Sequence, residues 1–153
     1  MQVLTGQCQC GAVRYSVHGE RACAFVCHCT DCQRQSASAF GMAAWLDAAQ
    51  LRVEQGTLTD WVRTMPSGKQ MLCRFCGQCG SRLFHQVLGA QYLSIKTGSL
   101  DDPSQCTPVA HIWVQSKQPW VDIPPDILQF RGNPTDMDVL LQAWAQVHPQ
   151  SCE

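Results

Sequence analysis

Residues 76–80 read Cys-Gly-Gln-Cys-Gly and have the form of a zinc knuckle. In such a turn the glycines let the chain reverse tightly and point backbone N–H groups at the two sulfurs, which stabilises the thiolates. A knuckle supplies two ligands, whereas a structural zinc ion takes four. Cys8 and Cys10 form a second compact pair, whose side chains share one face of an extended segment. Joined to Cys76 and Cys79, this pair would tie the N-terminal segment to a distant hairpin, although Cys73 and Cys76 also have ligand spacing.

The third cysteine cluster lies at residues 27–32, which read Cys-His-Cys-Thr-Asp-Cys. Cys27, Cys29 and Cys32 are close enough to occupy three corners of one tetrahedron, and no fourth partner is adjacent in the sequence. A catalytic zinc ion keeps three protein ligands and leaves one position for water or substrate. The sequence therefore predicts two zinc ions, one structural and one catalytic. The alternative is a second structural site, completed by one of four other side chains: Cys23, His28, Cys73 or Cys106.

A short helix is predicted within this third cluster. Thr30 and Gln33 fit a capping box, which would place Cys32 in the first turn, where the helix dipole and free N–H groups favour a thiolate. Arg34 and Ser36 follow closely enough to line the mouth of the site, and we predict that they contact the substrate. A surface helix would also carry such residues without a functional role.

The other histidines and cysteines receive no predicted ligand role. His28 sits between two predicted ligands, and its side chain would point away from the metal. There it would either be exposed to solvent, or contact a metal ligand or the substrate. We expect ordinary residues at the histidines without ligand spacing, which are His18, His85, His111 and His148. We expect small buried hydrophobic side chains at Cys23, Cys73 and Cys106, and a free thiol in the tail at Cys152.

Composition and charge exclude several classes of protein. The chain has 153 residues, of which 45% are hydrophobic and 15% charged, as expected for one globular domain. It contains no apolar run near the roughly 20 residues of a membrane span and no secretory signal, so we predict a cytoplasmic protein without a membrane partner. In a reducing compartment, clustered cysteines indicate metal binding or catalysis, and the odd count of 11 argues against a disulfide scaffold. The net charge of −1, with dispersed lysines and arginines, argues against a nucleic-acid partner.

The pattern of apolar residues predicts short strands followed by one helix. Val13, Tyr15 and Val17 alternate with polar residues, as in a half-buried strand. Further strand candidates, separated by glycine and proline turns, are residues 22–26, 40–46, 51–55, 58–65, 70–75, 92–96 and 109–114. After Pro134, helical spacing predicts an amphipathic helix that packs on its own domain or binds a partner. We predict a mainly β zinc-binding domain in residues 1–133 and a C-terminal α-helix and tail in residues 134–153.

Three segments also resemble a known family. Residues 6–15 read Gly-Gln-Cys-Gln-Cys-Gly-Ala-Val-Arg-Tyr, residues 27–40 begin Cys-His-Cys-x-x-Cys and end in Phe, and residues 75–83 read Phe-Cys-Gly-Gln-Cys-Gly-Ser-Arg-Leu. These segments, with weaker similarity at residues 98–103 and 111–120, resemble the glutathione-dependent formaldehyde-activating enzymes, which share their domain with centromere protein V. The resemblance covers about residues 6–130.

The resemblance implies a tent-like, β-rich fold with two zinc ions. It implies a structural zinc held by Cys8, Cys10, Cys76 and Cys79. It implies a catalytic zinc held by Cys27, Cys29 and Cys32. The implied activity is that of a carbon–sulfur lyase, in which glutathione and formaldehyde join to form S-hydroxymethylglutathione. The chain has Gln33-Arg34 and Ser36-Ala37 where the family commonly has Arg-Lys and Ser-Gly.

The chemistry of the predicted open site suits a sulfur substrate. Three thiolates leave a bound zinc ion at a net charge of −1, which favours a soft sulfur ligand over hydrolysis. Our first hypothesis is a zinc-dependent lyase that adds a thiol such as glutathione to a small aldehyde, or cleaves the adduct, with Arg34 nearest in sequence to bind a carboxylate. The alternatives are a non-catalytic interaction module with two structural zinc sites, and a thiol redox sensor that releases zinc on oxidation.

Overall fold

A computed structural model describes residues 3–19 and 23–148. The strands are β1 (Val3–Gln7), β2 (Arg14–His18), β3 (Cys23–Cys27), β4 (Gly41–Asp47), β5 (Leu51–Gln55), β6 (Leu58–Thr64), β7 (Gln70–Cys76), β8 (Arg82–Val87), β9 (Tyr92–Ile95), β10 (Ala110–Ile112) and β11 (Leu128–Gln129). The helices are α1 (Thr30–Ser36) and α2 (Asp138–Val147), and short 3₁₀ turns lie at Ala48–Gln50, Thr97–Ser99, Pro103–Cys106 and Val114–Ser116. The predicted mainly β fold with a C-terminal helix is therefore confirmed.

The chain divides into two compact units, and each is built from two separate segments. The first unit contains Met1–Arg21 and Ala44–Cys106, and the second contains Ala22–Ala43 and Thr107–Glu153. Strand β4 begins in the second unit and continues into the first. The boundary predicted at residue 133 separates the β-rich segment from the C-terminal helix, whereas the two units are defined by their internal contacts. That boundary stays a prediction.

The first unit is made of antiparallel strands. In one sheet the order is β1-β2-β5, with Leu4 opposite Val17. The other strands of this unit pair in the order β4-β9-β8-β7-β6, and in the long β6–β7 hairpin Trp61 lies opposite Cys73. This hairpin ends in a turn in which Gly68 adopts a φ of 81°, a left-handed conformation that glycine reaches without a steric penalty. The meander brings the ends of β7 and β8 together around the predicted knuckle.

The second unit combines parallel strands with the two helices. Strand β10 lies between β3 and β11 and is parallel to both, with Ala110 opposite Phe25 on one side and Leu128 on the other. Helix α2 packs against β3 and buries Leu140 and Trp144. The predicted amphipathic helix thus packs on its own unit. Among the helices of residues 3–19 and 23–148, none has the length and apolar character that a membrane crossing requires.

A close contact between β1 and β2 organises the core of the first unit. Tyr15 is 1% exposed, its ring meets that of Phe84 edge-on at 4.9 Å, and its hydroxyl lies 2.7 Å from Ser99 Oγ. Burial raises the pKa of Tyr15 to about 12, although the Ser99 hydrogen bond opposes this rise. The Tyr15 ring lies over Gly6, its cross-strand partner, where a Cβ would overlap the ring and come within 2.6 Å of the Ser99 carbonyl oxygen. The core therefore requires glycine at position 6.

Replacing Gly6 with alanine should destabilise the first unit by about 3 kcal/mol. Overpacking of a core typically costs about 1–3 kcal/mol, and the upper end applies here because the added methyl group would meet a backbone oxygen as well as the Tyr15 ring. The midpoint of urea unfolding measures this loss. Gly98→Ala is the matched control, since a methyl group at Gly98 meets no atom within 4 Å. Equal midpoints for the two variants would show that the Tyr15 ring moves aside at little cost.

Candidate metal centres

Four sulfurs of the first unit converge, and we call them the four-cysteine group: Cys8, Cys10, Cys76 and Cys79. Their Sγ atoms all lie within 4.8 Å of one another, with 3.6 Å between Cys8 and Cys10 and 3.8 Å between Cys10 and Cys76. Cys73 is buried elsewhere in β7, so its alternative pairing with Cys76 does not form this group.

Two similar turns build the four-cysteine group. Each turn ends in a glycine with a left-handed backbone, at φ 75° for Gly11 and 73° for Gly80. The N–H of Gly80 donates to the Cys76 carbonyl at 2.8 Å, and the N–H of Gly11 donates to the Cys8 carbonyl at 3.0 Å. The hydroxyl of Ser81 accepts the N–H of Gln9 at 3.0 Å and thereby links the turns. The tight turn that the sequence predicted at the knuckle is therefore present at Gly80, whose N–H donates to a carbonyl oxygen and not to a sulfur.

The charges of these sulfurs call for a cation. The Ser81 hydroxyl, 3.2 Å from the Cys79 sulfur, and the backbone N–H groups of Ser81 and Cys10 lower the pKa of Cys79 to about 5. The Ala12 N–H also lowers the pKa of Cys10, but the neighbouring sulfurs, Cys8 first, outweigh it and raise that pKa to about 11. Four crowded sulfurs therefore do not ionise together without a positive charge. Four converging thiols are the donor set that a structural zinc ion takes, so the residues fit this metal.

The second sulfur cluster, which we call the three-cysteine group, contains Cys27, Cys29 and Cys32. Their Sγ atoms also lie within 4.8 Å of one another. Among residues 3–19 and 23–148, no other histidine, cysteine, aspartate or glutamate places a ligand atom within this distance of all three. Gly41, at the start of β4, leaves space beside them, because a Cβ there would lie 3.2 Å from Cys32 Cβ and 3.6 Å from its sulfur.

The N-terminus of α1 positions two of these sulfurs. Cys29 is the N-cap of the helix, and its sulfur accepts the N–H of Cys32 at 3.3 Å. Cys32 lies in the first turn, as predicted, but the predicted capping box is wrong. The Cys29 sulfur takes the role expected of the Thr30 hydroxyl, and the Gln33 side chain bonds elsewhere.

The three sulfurs share their protons unequally. Hydrogen bonds from the neighbouring sulfurs, Cys27 first, lower the pKa of Cys29 to about 2, whereas the pKa of Cys27 is raised because its thiol donates to Cys29 and lies in a buried site. Three thiols that cannot all ionise alone fit a soft divalent cation such as zinc, which binds the thiolate form.

His28 is fully buried, so the prediction of a solvated side chain is wrong. Its Nε2 lies 2.8 Å from Nδ1 of His111, the two rings stack at 5.1 Å, and Phe40 covers His28 edge-on. Burial, with the nearby charges of His111 and Lys117, lowers the pKa of His28 to about 4, and burial also lowers that of His111. The pair is therefore neutral at physiological pH. The sequence analysis gave His111 no special role. Its apolar neighbours in the sequence, Ala110 and Ile112, could have indicated that its side chain is buried.

The two predicted substrate contacts lie on α1. The Arg34 side chain is 80% exposed and its guanidinium is 4.0 Å from the Asp31 carboxylate. The Ser36 hydroxyl lies near the carbonyl oxygens of Cys32, at 2.7 Å, and Phe40, at 2.9 Å, and it stabilises the end of the helix. Their contact with a substrate stays a prediction.

An open cavity of about 460 Å³ adjoins α1 on the same unit. It is lined by Gln33, Arg34, Ala37, Ser38, Ala39, Gln118 and Trp120. Of the cysteines without a predicted ligand role, Cys23, Cys73 and Cys106 are buried as expected, and Cys152 lies outside the described residues.

Comparison with protein families matches residues 3–116 to the glutathione-dependent formaldehyde-activating enzymes. The chain belongs to this family. Both cysteine groups of this chain lie inside the matched residues. Two residues that line the cavity, Gln118 and Trp120, lie beyond the match.

One similar solved structure is a crystal structure of a Rhodobacter sphaeroides protein. It is 27% identical to this chain, with a TM-score of 0.52, and the match covers 66% of this chain and 93% of the other. A search of functionally curated proteins found no match. The structural match supports the fold of this family member and gives no information about its substrate.

Proposed function

We propose that this protein is a zinc-dependent carbon–sulfur lyase of the reducing cytoplasm. Its substrates are a glutathione-like thiol and a small aldehyde such as formaldehyde, or the adduct of the two. The four-cysteine group holds a structural zinc ion, and the three-cysteine group holds a catalytic one. The observation that carries the proposal is the difference between the groups: the first offers the four ligands of a closed site, and the second offers three.

The protein residues bind and orient the reactants. Cys27, Cys29 and Cys32 would hold the ion, which when bound acts as a Lewis acid that lowers the pKa of a substrate thiol below about 8.5. The exposed Arg34 guanidinium provides a cation for a substrate carboxylate. Gly41 keeps the space beside Cys32 free of a side chain.

The reaction exchanges the π bond of the carbonyl group and the S–H bond of the thiol for a C–S bond and an O–H bond. The substrate sulfur attacks the aldehyde carbon, a carbon–sulfur bond forms, and the carbonyl oxygen gains the proton that the thiol loses. The reverse reaction breaks this bond and returns both substrates. Oxidants are not needed in either direction, which suits a protein whose buried cysteines are reduced.

Cobalt substitution tests the proposal by direct observation of the three-cysteine group. Added glutathione should change the visible spectrum of the cobalt-loaded protein, because a thiol that enters an open coordination position alters the ligand field. S-methylglutathione is the matched control, since it keeps the peptide and lacks the thiol. The same protein, loaded with zinc, should accelerate the formation of S-hydroxymethylglutathione.

The competing function is an interaction module with two closed zinc sites. It predicts a cobalt spectrum that glutathione leaves unchanged and a rate of adduct formation equal to that without protein. Either result would count against the lyase, and both together would overturn it.

A further inference from the structure

His28 is the single residue between strand β3 and the start of helix α1. The strand ends at Cys27, and Cys29 is the N-cap of the helix. The sulfur of Cys27 is therefore carried by the strand, whereas those of Cys29 and Cys32 are carried by the first turn of the helix. Because each residue has only two soft backbone dihedral angles, the conformation of His28 largely sets how the strand meets the helix, and so whether the three sulfurs converge.

Three of the four polar groups of His28 are held by other parts of the second unit. Its backbone N–H donates to the carbonyl oxygen of Ile112 at 3.0 Å. Its carbonyl oxygen accepts a hydrogen bond from Nε2 of Gln33 at 2.7 Å, and its own Nε2 lies 2.8 Å from Nδ1 of His111. The Gln33 amide also donates to the carbonyl oxygen of Ser116 at 2.9 Å. These contacts fix both the backbone and the ring of the residue that joins β3 to α1.

The fourth polar group of His28 is its Nδ1. This atom is buried and forms no hydrogen bond within the described part of the chain. A buried polar atom without a hydrogen bond destabilises a fold, and two hydrogen-bonded polar side chains can often be replaced by apolar ones of similar shape at little or no cost. Burial alone therefore does not account for a pair of histidines at positions 28 and 111.

We propose that His28 is a positioning residue for the metal centre of the three-cysteine group. Its hydrogen bonds to His111 and Gln33 hold the β3–α1 junction, so that the sulfur on the strand meets the two sulfurs on the helix. The inference rests on the proposed function only in that a metal ion binds to the three sulfurs, and it does not depend on which thiol or aldehyde reacts. Loss of the groups that orient metal ligands typically lowers metal affinity about 10–100-fold.

Replacing both histidines by leucine separates positioning from packing. The double variant His28→Leu/His111→Leu removes the pair together, so that neither imidazole is left without the other. The affinity of the three-cysteine group for Co²⁺ should fall about 10–100-fold, whereas the midpoint of urea unfolding should be equal to that of the unsubstituted chain or higher. A role in packing alone would lower both quantities.

Two measurements on the full chain give these quantities. Titration of Co²⁺ against a competing chelator gives the affinity of each site, and Cys29→Ser identifies the binding step that belongs to the three-cysteine group. The four-cysteine group of the same chain is the internal control and should keep its affinity. Urea midpoints are compared in a Cys29→Ser background, so that metal bound at the three-cysteine group does not contribute to stability.

His148→Leu is the matched control for the substitutions. It makes the same chemical change in the same unit, at a histidine that stacks on Trp144 and belongs to neither cysteine group. Both Co²⁺ affinities should stay unchanged in this variant. Gln33→Met keeps the test decisive if the double variant does not fold, because it removes the donor to the His28 carbonyl oxygen at a partly exposed position. It should lower the affinity of the three-cysteine group about 10-fold.

The possible outcomes separate this inference from the proposed function. Unchanged Co²⁺ affinity in the double variant and in Gln33→Met, with two ions still bound, overturns the inference and leaves the lyase in place. A lower urea midpoint together with a lower affinity also overturns it, since packing would then explain both. An unsubstituted chain that binds only one Co²⁺ contradicts the proposed function itself, and this inference falls with it.

Discussion

Cys76→Ser should leave the first unit unfolded at 25 °C and without its zinc ion. The apparent binding free energy of a structural zinc site is about 10–16 kcal/mol, whereas a whole domain is stable by only about 5–15 kcal/mol. Cys76 is 1% exposed, and a serine there would be a poor ligand buried among three sulfurs. Loss of one ligand therefore removes most of the stability of the unit.

Far-ultraviolet circular dichroism and metal analysis of the purified variant measure this effect. Cys73→Ser is the matched control, because Cys73 lies in the same strand, is equally buried and belongs to neither cysteine group. It should keep both zinc ions and lose about 1–3 kcal/mol, the usual cost of burying a hydroxyl. Loss of zinc from Cys73→Ser, with Cys76→Ser folded, would show that the other cysteine pair binds the metal.

Cys29→Ser should keep the fold and lose the activity. Cys29 is both a member of the three-cysteine group and the N-cap of α1, and serine preserves the cap while it removes one of the three sulfurs. Because even residues behind a metal ligand change metal affinity or activity about 10–100-fold, loss of a ligand should reduce kcat/KM at least about 100-fold. The zinc content should fall from two ions per chain to one.

Cys23→Ala is the control for the second unit. Cys23 is fully buried in β3 and lies outside both cysteine groups, so its loss tests packing alone. This variant should keep two zinc ions and nearly the full rate of adduct formation. If Cys29→Ser and Cys76→Ser unfold to the same degree, the assignment of one structural and one catalytic site is wrong.

The cysteine groups could be predicted because metal ligation imposes local spacing. A knuckle needs its two cysteines three residues apart and a glycine that turns left-handed, and both features stand in the sequence at Cys76, Cys79 and Gly80. The alternation around Tyr15 and the helical spacing after Pro134 are equally local. These features lead to β2 and α2 without knowledge of the rest of the chain.

Features that depend on distant partners were not predicted. Strands β1 and β8 were missed because β1 contains a glycine required by the Tyr15 ring, and adjacent residues of β8, Leu83 and Phe84, are both buried. The burial of His28 depends on His111, which is 83 positions further along the chain. Spacing between neighbours carries no information about such a contact.

The distance in sequence between Cys8 and Cys79 has a consequence during protein synthesis. The first two cysteines of the four-cysteine group leave the ribosome long before the last, and at about 5–20 residues per second the knuckle follows several seconds later. For that interval the nascent chain carries unprotected thiols that oxidants and foreign metal ions can reach. We expect correct metal loading in the cell to depend on a translation environment that is both reducing and rich in available zinc.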